Sequence, residues 1–432
     1  MDRDLFQRLQ HGFGFGGWIP RGVDTAAEIV PGLSGLEGDR FWMAQALLAA
    51  MEGIGRSNPN PTVGAVFVRD GRMIARGATL RYGDLHAERV ALRDADPELI
   101  RGSTLYVTLE PCARPGKQPP CTEALLTAQP LRCVVGATDP HPKVAGDGIR
   151  QLRAAGVEVT VGVLGAECTM WHFPFLASLT LKRPVLIGKW AQTLDGHLAD
   201  DTGRSQWISG PKSRAYTHWL RQKYDMLLVG MGTVLADAPS LTVRDAAQPH
   251  HRHPHKCVFD PFGRFAQLSD PHLEALKRGL EPQGAQLFLM VQQGFWQEPS
   301  WWSSWRSLAV VVMIEAQETW SEHVARLSEV YARTCGVPLQ SIMVEGGPQL
   351  LTQLLREQLL DALHVFVRAG ILGGTRNRIG RLDVRPGEDP LAVNPSRSLM
   401  DRDDYQLLAT YQIEDDVVLE CLHRRHAIGF VS

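Results

Sequence analysis

Residues 85–121 read LHAERVALRDADPELIRGSTLYVTLEPCARPGKQPPC, and this stretch decides the fold of the first half of the chain. HAERVALRDA predicts a helix opening at His86, and TLYVTLEP predicts a strand ending just before Pro111. Upstream, FWMAQALLAAMEG (41–53) combines helix formers with apolar residues on nearly every face, as in a helix buried on several sides. TVGAVFVRDGRMIARGA (62–78) predicts a hairpin, because Asp70-Gly71 supplies the positive backbone angles of a tight turn. Downstream, RCVVGATDP, GIRQLRAAG and VEVTVGVL predict a strand, a helix and a strand. Helices alternating with strands mean an α/β sandwich.

A boundary falls near LASLTLKRP (176–184), where Pro184 and the fresh apolar run VLIGKW begin a second series. Its apolar runs are DMLLVGMGTVL, KCVFD, QLFLMV, SLAVVVMI, SIMVEGG and LHVFVRAG, with helices at PKSRAYTHWLRQ, WSEHVARLSEVYA and PQLLTQLLREQ. The second half is another α/β domain, with no internal repeat linking it to the first. Residues 1–37, dense in Gly and Pro, form an irregular arm; 38–180 form the first domain with its linker, and 181–432 the second. The tail EDDVVLECLHRRH (414–426) reads as an edge strand and its exposed end.

The chemistry of the first domain lies in His86-Ala87-Glu88, Pro111-Cys112 and Cys121. One imidazole and two thiolates make a three-ligand zinc site with an open fourth position, catalytic in type because the metal brings the pKa of a bound water to about 7. Glu88 is then the proton shuttle. H-x-E followed by P-C-x(n)-C is the order of the zinc nucleobase deaminases, although the second cysteine usually follows after two residues and here ARPGKQPP intervenes.

Composition narrows the partners. With 432 residues, 45 Lys+Arg, 47 Asp+Glu and a formal charge of -2, no global field attracts nucleic acid or anionic lipid. No apolar stretch reaches the roughly 18–20 residues of a membrane helix, and the N-terminus lacks a basic segment followed by an apolar one, so a cytoplasmic location is expected. Seven cysteines without a secretion signal argue against a disulfide framework; Cys133, Cys168, Cys257, Cys335 and Cys421 read as small buried hydrophobes.

SNPNPTVGAVFVRDG, LHAERVAL, TLYVTLEPC, GKQPPC and DPHPKVAGDGI resemble the bifunctional riboflavin-biosynthesis deaminase/reductases, in which the eight-residue spacing of the two cysteines is distinctive. KWAQTLDG, GRSQWISGP, LLVGMGTVLADAPSLTVR, IMVEGGPQLL and ILGG extend the resemblance through the second half. It implies a cytidine-deaminase-like α/β/α domain followed by a dihydrofolate-reductase-like α/β domain. It also implies zinc-dependent deamination of a diaminopyrimidine ribosylamino 5′-phosphate, then NADPH reduction of the ribose to a ribityl chain, in a homo-oligomer, dimer or higher.

Carried over by position, His86, Cys112 and Cys121 hold zinc, Glu88 moves the proton, and Asn58 and Lys117 help hold the substrate. Ala191, Trp207, Thr233, Asp237, Gly346 and Gly347 meet NADPH, while Ser205, Arg221, Leu241, Arg244 and Glu345 meet the second substrate. A strand, glycine turn and helix start at VEGGPQLL suit phosphate, and Arg221 and Arg244 offer forked charge for a sugar phosphate. The chain departs from the family at Thr79 (usually His), Ala113-Arg114 (Ser-His), His141 (Asn), Ala238 (a polar residue) and Ala369-Gly370 (Pro-Lys).

Blander readings compete. His250, His251, His253 and His255 in PHHRHPHK read as a solvated loop before a metal tract, Trp207 as plain packing, Glu345 as a surface carboxylate and Arg221 as a solvated helix charge. Alternative functions are a specialised paralogue acting on another heterocycle, a nucleic-acid base deaminase, and an inactive scaffold. The charge of -2 opposes the second of these, and retention of all four zinc-site residues opposes the third.

Overall fold

The computed structural model describes residues 38–139, 146–244, 253–281, 284–373 and 404–426. The arm expected at 1–37 lies outside them, as do His141, His250 and His251. The chain divides into two compact units, Met1–Lys182 and Arg183–Ser432.

In the first unit, α1 (Gly38–Ala50) leads into the hairpin β1 (Gly64–Arg69) and β2 (Arg72–Ala78). Then come α2 (Ala87–Arg93), α3 (Pro97–Ile100), β3 (Thr104–Leu109), α4 (Cys121–Ala128), β4 (Arg132–Ala137), α5 (Asp147–Ala154), β5 (Glu158–Val161), α6 (Gly165–Trp171) and α7 (Phe173–Leu181). The sheet order is β2-β1-β3-β4-β5. β1 pairs antiparallel with both neighbours, and β3-β4-β5 are parallel. The hairpin turns at Asp70 and Gly71, with φ of 50° and 70°.

Two glycines show why helices cover both faces. A Cβ on Gly64 would lie 1.9 Å from the Ala46 carbonyl oxygen of α1, and one on Gly77 would lie 2.3 Å from that of Ala87 in α2. Gly64 pairs with Ala78 and Gly77 with Ala65, so the two glycines point to opposite faces. Their missing side chains let α1 and α2 approach the sheet closely from either side, which gives the α/β/α sandwich. Met43 to Ala50 of α1 are all buried, as the apolar surround of that helix predicts.

The second unit runs β6 (Val185–Thr193), α8 (Pro211–Lys223), β7 (Met226–Gly230), α9 (Met231–Asp237), β8 (His255–Phe259), α10 (Asp270–Lys277), β9 (Leu287–Gln292) and β10 (Ala309–Ile314). It continues with α11 (Trp320–Cys335), β11 (Ser341–Val344), α12 (Pro348–Arg356), β12 (Leu360–Arg368), β13 (Tyr405–Ile413) and β14 (Asp416–His423). The order is β10-β9-β8-β7-β11-β6-β12-β14-β13. Strands β6 to β12 are mutually parallel; β14 runs antiparallel between β12 and β13. The chain passes from β6 over to β7, winds outward, and returns to insert β11 between them. That reversal is a topological switch point, and ligands of open parallel sheets bind beyond the carboxyl ends of strands there.

Two expectations are corrected. The tail strand β14 is not the edge, because Tyr405–Ile413 forms a further strand outside it across the turn at Glu414 and Asp415. Nor is His255 in a solvated loop: it opens β8, is buried against Phe288 and Tyr331, and accepts the Gln286 N–H at Nδ1. His253, half-buried, accepts the Val243 N–H. The cysteine expectation fits: Cys133, Cys168 and Cys257 are fully buried, and Cys335 and Cys421 partly so.

Candidate functional site

In the first unit, the site forms where β3 ends and two helices begin. His86 sits at the N-cap of α2, with φ -73° and ψ 163°, and Cys121 is the first residue of α4. Cys112 follows β3 by three residues. The Nδ1 of His86 lies 3.5 Å from the Cys112 sulfur and 3.4 Å from that of Cys121. Bond lengths of about 2.0–2.1 Å to nitrogen and 2.3 Å to sulfur in a tetrahedral site place such atoms roughly 3.5–3.6 Å apart, so the three side chains fit zinc. Among the described residues this is the one His/Cys/Asp/Glu group whose ligand atoms all come within 4.8 Å.

The surroundings make the two thiols unequal: the Cys112 sulfur and then burial push the Cys121 thiol up, and the contact with Cys112 also raises the His86 imidazole. The Cys121 thiol and backbone N–H (3.2 Å) and the His86 ring hold the Cys112 thiol down to about 4, making it the thiolate of the pair. Glu88, buried in the first turn of α2, is pushed above the usual carboxylate range by burial and then by the Cys112 charge. A carboxyl group so placed holds its proton to higher pH than a free one, which suits it to proton transfer.

Glu110, to which the sequence reading gave no role, braces this strand end. Its buried carboxylate accepts the backbone N–H groups of Asp139 (3.3 Å), Gly146 (3.1 Å) and Gly148 (3.0 Å). Arg89 donates to the Pro120 carbonyl at 2.8 Å, tying α2 to the residue before Cys121. Of the two substrate candidates, Asn58 is half-buried in the Ser57–Thr62 turn, while Lys117 is exposed with its ammonium 3.9 Å over the Tyr82 ring. Among the departures, Thr79 is buried and Arg114 is paired with Asp147 at 3.0 Å.

In the second unit, the switch point gathers most of the expected residues. Gly346 and Gly347 follow β11, and Gly347 caps α12. A Cβ on Gly347 would lie 3.5 Å from the Thr233 hydroxyl of α9, and one on Gly346 would lie 2.7 Å from Leu350. The turns after β7 and β11 are therefore side by side, with helix N-termini that favour phosphate. Asp237, ending α9, accepts a 3.4 Å hydrogen bond from Ser205.

Beside them, Arg221 of α8 donates to both carboxylate oxygens of Glu345, at 2.6 and 2.8 Å, and to the Thr242 carbonyl at 2.8 Å. Neither is a solvated charge, with side-chain exposures of 12% and 11%. Burial pushes the Glu345 carboxyl upward, but Arg221 and then Lys189 outweigh it, so it stays ionised. Leu241 is buried with φ 49°, and the Arg244 N–H points to the His218 Nδ1 at 3.2 Å. Ala191 lies on β6 opposite Phe366. Trp207 is 67% exposed, under the Arg214 guanidinium at 4.3 Å, so the packing reading fails.

Lys189 and His218 are members of this cluster that the sequence reading passed over. Burial lowers the ammonium of Lys189, which Glu345 partly restores, and its Nζ stands 4.9 Å over the Phe366 ring. A lysine inside the apolar strand VLIGKW is the available signal. For His218 it is the spacing of three from Arg221 on one helix.

Comparison with known proteins covers both units. A family described as the cytidine and deoxycytidylate deaminase zinc-binding region matches residues 36–137, and the RibD C-terminal domain matches 184–386. The riboflavin biosynthesis protein RibD of Aquifex aeolicus is 37% identical over 359 residues, covering 83% of this chain and 94% of its own. That of Escherichia coli is 34% identical over 362 residues, again 83% and 94%. A solved diaminohydroxyphosphoribosylaminopyrimidine deaminase/5-amino-6-(5-phosphoribosylamino)uracil reductase from Thermotoga maritima superimposes with a TM-score of 0.71 at 30% identity, over 89% of this chain and 98% of that one.

Proposed function

Because this chain belongs to the RibD family of riboflavin-biosynthesis deaminase/reductases, we propose that its two sites perform that family's consecutive reactions with the residues assembled above. The enzyme is bifunctional: it deaminates a diaminopyrimidine ribosylamino 5′-phosphate and reduces the ribose to a ribityl chain, using zinc and NADPH. The observation that carries the reading is the His86, Cys112 and Cys121 cluster with Glu88 buried beside it.

Zinc, when bound, supplies Lewis-acid activation of water at neutral pH. His86, Cys112 and Cys121 hold it, and Glu88 takes a proton from the attacking water and returns it to the departing amine, which leaves as ammonia while the ring carbon becomes a carbonyl. Asn58 and Lys117 hold the substrate.

NADPH supplies the hydride. Gly346, Gly347, Thr233, Asp237, Ala191 and Trp207 bind the cofactor, whose phosphates suit the paired turns after β7 and β11. Ser205, Leu241, Arg244 and the Arg221–Glu345 pair position the substrate. Arg244, whose guanidinium also reaches the Ser240 hydroxyl, is the candidate for the sugar phosphate. The protein acts in the cytoplasm, a reading supported by seven free cysteines. It does so as a homo-oligomer, dimer or higher, supported by the family resemblance and tested by sedimentation.

Mass spectrometry of the diaminopyrimidine substrate after incubation with zinc-loaded enzyme tests both reactions. The expected product has an amine replaced by a carbonyl and gains two hydrogens only when NADPH is present. An unchanged substrate, despite bound zinc and a folded chain, refutes the assignment and favours a paralogue acting on another heterocycle.

A further inference from the structure

The loop that delivers the first zinc ligand and the insert that delivers the last are joined by side chains outside the ligand set. Tyr82, four residues before His86, is 39% exposed, and the Lys117 ammonium sits 3.9 Å from its ring centroid. Next to them, the Gln118 amide donates to the Gly83 carbonyl at 2.6 Å, and the Lys117 Cδ lies 3.7 Å from where a Gly83 Cβ would stand. Gln118 is three residues before Cys121, so these contacts bridge residues 82–83 and 117–118 just upstream of two ligands.

Lys117 is a flexible four-carbon arm ending in a point charge, and such an arm loses rotamer freedom when a ligand fixes it. The negative face of the Tyr82 ring restrains the ammonium beforehand while leaving its other donors open. We infer that Tyr82 is a positioning residue for the deamination reaction, pre-organising Lys117 to receive the substrate. The inference rests on the proposed role of Lys117 and deepens it, since it assigns part of the substrate affinity to Tyr82 acting through Lys117.

The test is steady-state deamination by the full-length zinc-loaded enzyme carrying Tyr82→Ala, Tyr82→Leu, Tyr82→Phe, Lys117→Ala or Tyr82→Ala with Lys117→Ala. An exposed cation–π contact predicts that Tyr82→Ala and Tyr82→Leu raise KM about two- to fivefold with kcat, zinc content and the reductase rate unchanged. Tyr82→Phe retains the ring and stays close to the parent. The double variant is no worse than Lys117→Ala alone, because Tyr82 acts through Lys117. If Lys117→Ala raises KM and Tyr82→Ala does not, or Tyr82→Leu matches the parent, the positioning role is wrong while the role of Lys117 stands. An unaltered KM in Lys117→Ala overturns the reading of Lys117 and this inference with it. A fall in zinc content or reductase rate in Tyr82→Ala assigns the residue to folding instead.

Discussion

The guanidinium of Arg221 and the carboxylate of Glu345, 124 residues apart in sequence, close a two-bond fork at 2.6 and 2.8 Å inside the second unit. The pair joins a helix laid down early in the unit to the end of the strand that later inserts at the switch point. Removing one partner leaves a buried charge without its counterion, at a cost of about 3–5 kcal/mol. Glu345→Gln and Arg221→Ala should therefore lower the denaturant midpoint and impair reduction. Arg221→Lys keeps the charge but not the fork, and an Arg221→Lys enzyme with parental stability and reductase rate would remove the fork from the argument.

Glu88→Gln preserves the shape of the buried carboxyl but cannot exchange a proton. Deamination should fall by roughly 10²–10⁴-fold, while zinc content and reduction of the deaminated intermediate stay unchanged. Loss of both activities would contradict independent sites.

Chelation supplies the complementary experiment. Stripping zinc should abolish deamination and leave NADPH-dependent reduction intact, with activity restored by zinc alone. Deamination that persists in metal-free enzyme is incompatible with the His86, Cys112 and Cys121 site.

His218 makes the second unit acid-sensitive. Burial, then the charges of Arg221 and Arg244, hold its imidazole down to about 4. An unfolded histidine titrates near 6.5. Between these values the unfolded chain binds the extra proton, so the stability that neutral His218 contributes is complete above about 6.5 and is lost as pH falls toward 4. The expected loss is on the order of 1–3 kcal/mol between pH 7 and pH 4, and denaturant midpoints of His218→Gln should show a flatter profile over that range. Equal slopes would show that the histidine is solvated.

Gly346→Val tests the cofactor turn. A Cβ there meets Leu350 at 2.7 Å, and the branched side chain displaces the turn proposed to receive the cofactor phosphates. KM for NADPH should rise at least severalfold while deamination is unaffected; unchanged cofactor affinity would move the phosphates elsewhere.

Local signals carried much of this in advance. Asp70-Gly71 specified the hairpin, the apolar surround of residues 41–53 specified a helix buried on several sides, and the order of His86, Glu88, Cys112 and Cys121 specified a zinc site, because each depends on backbone geometry or ligand chemistry within a short span. The reading failed where a segment's environment depended on distant strands. The tail looked like an edge because nothing local reveals that Tyr405–Ile413 pairs outside it. His255 looked solvated because nothing in the sequence shows a strand or acidic partner framing the histidine tract, whereas its environment is Phe288 and Tyr331.

By itself the sequence determined the class of both domains and the chemistry of the first, since periodicity and ligand type are properties of neighbouring residues. Tertiary structure alone decided which charges are paired. Arg221 could have been a solvated helix charge or a phosphate ligand, and Glu345 a surface carboxylate. The insertion of β11 between β7 and β6 brings them together in a poorly hydrated crevice where an unpaired charge costs far more than in water, so each becomes the other's counterion.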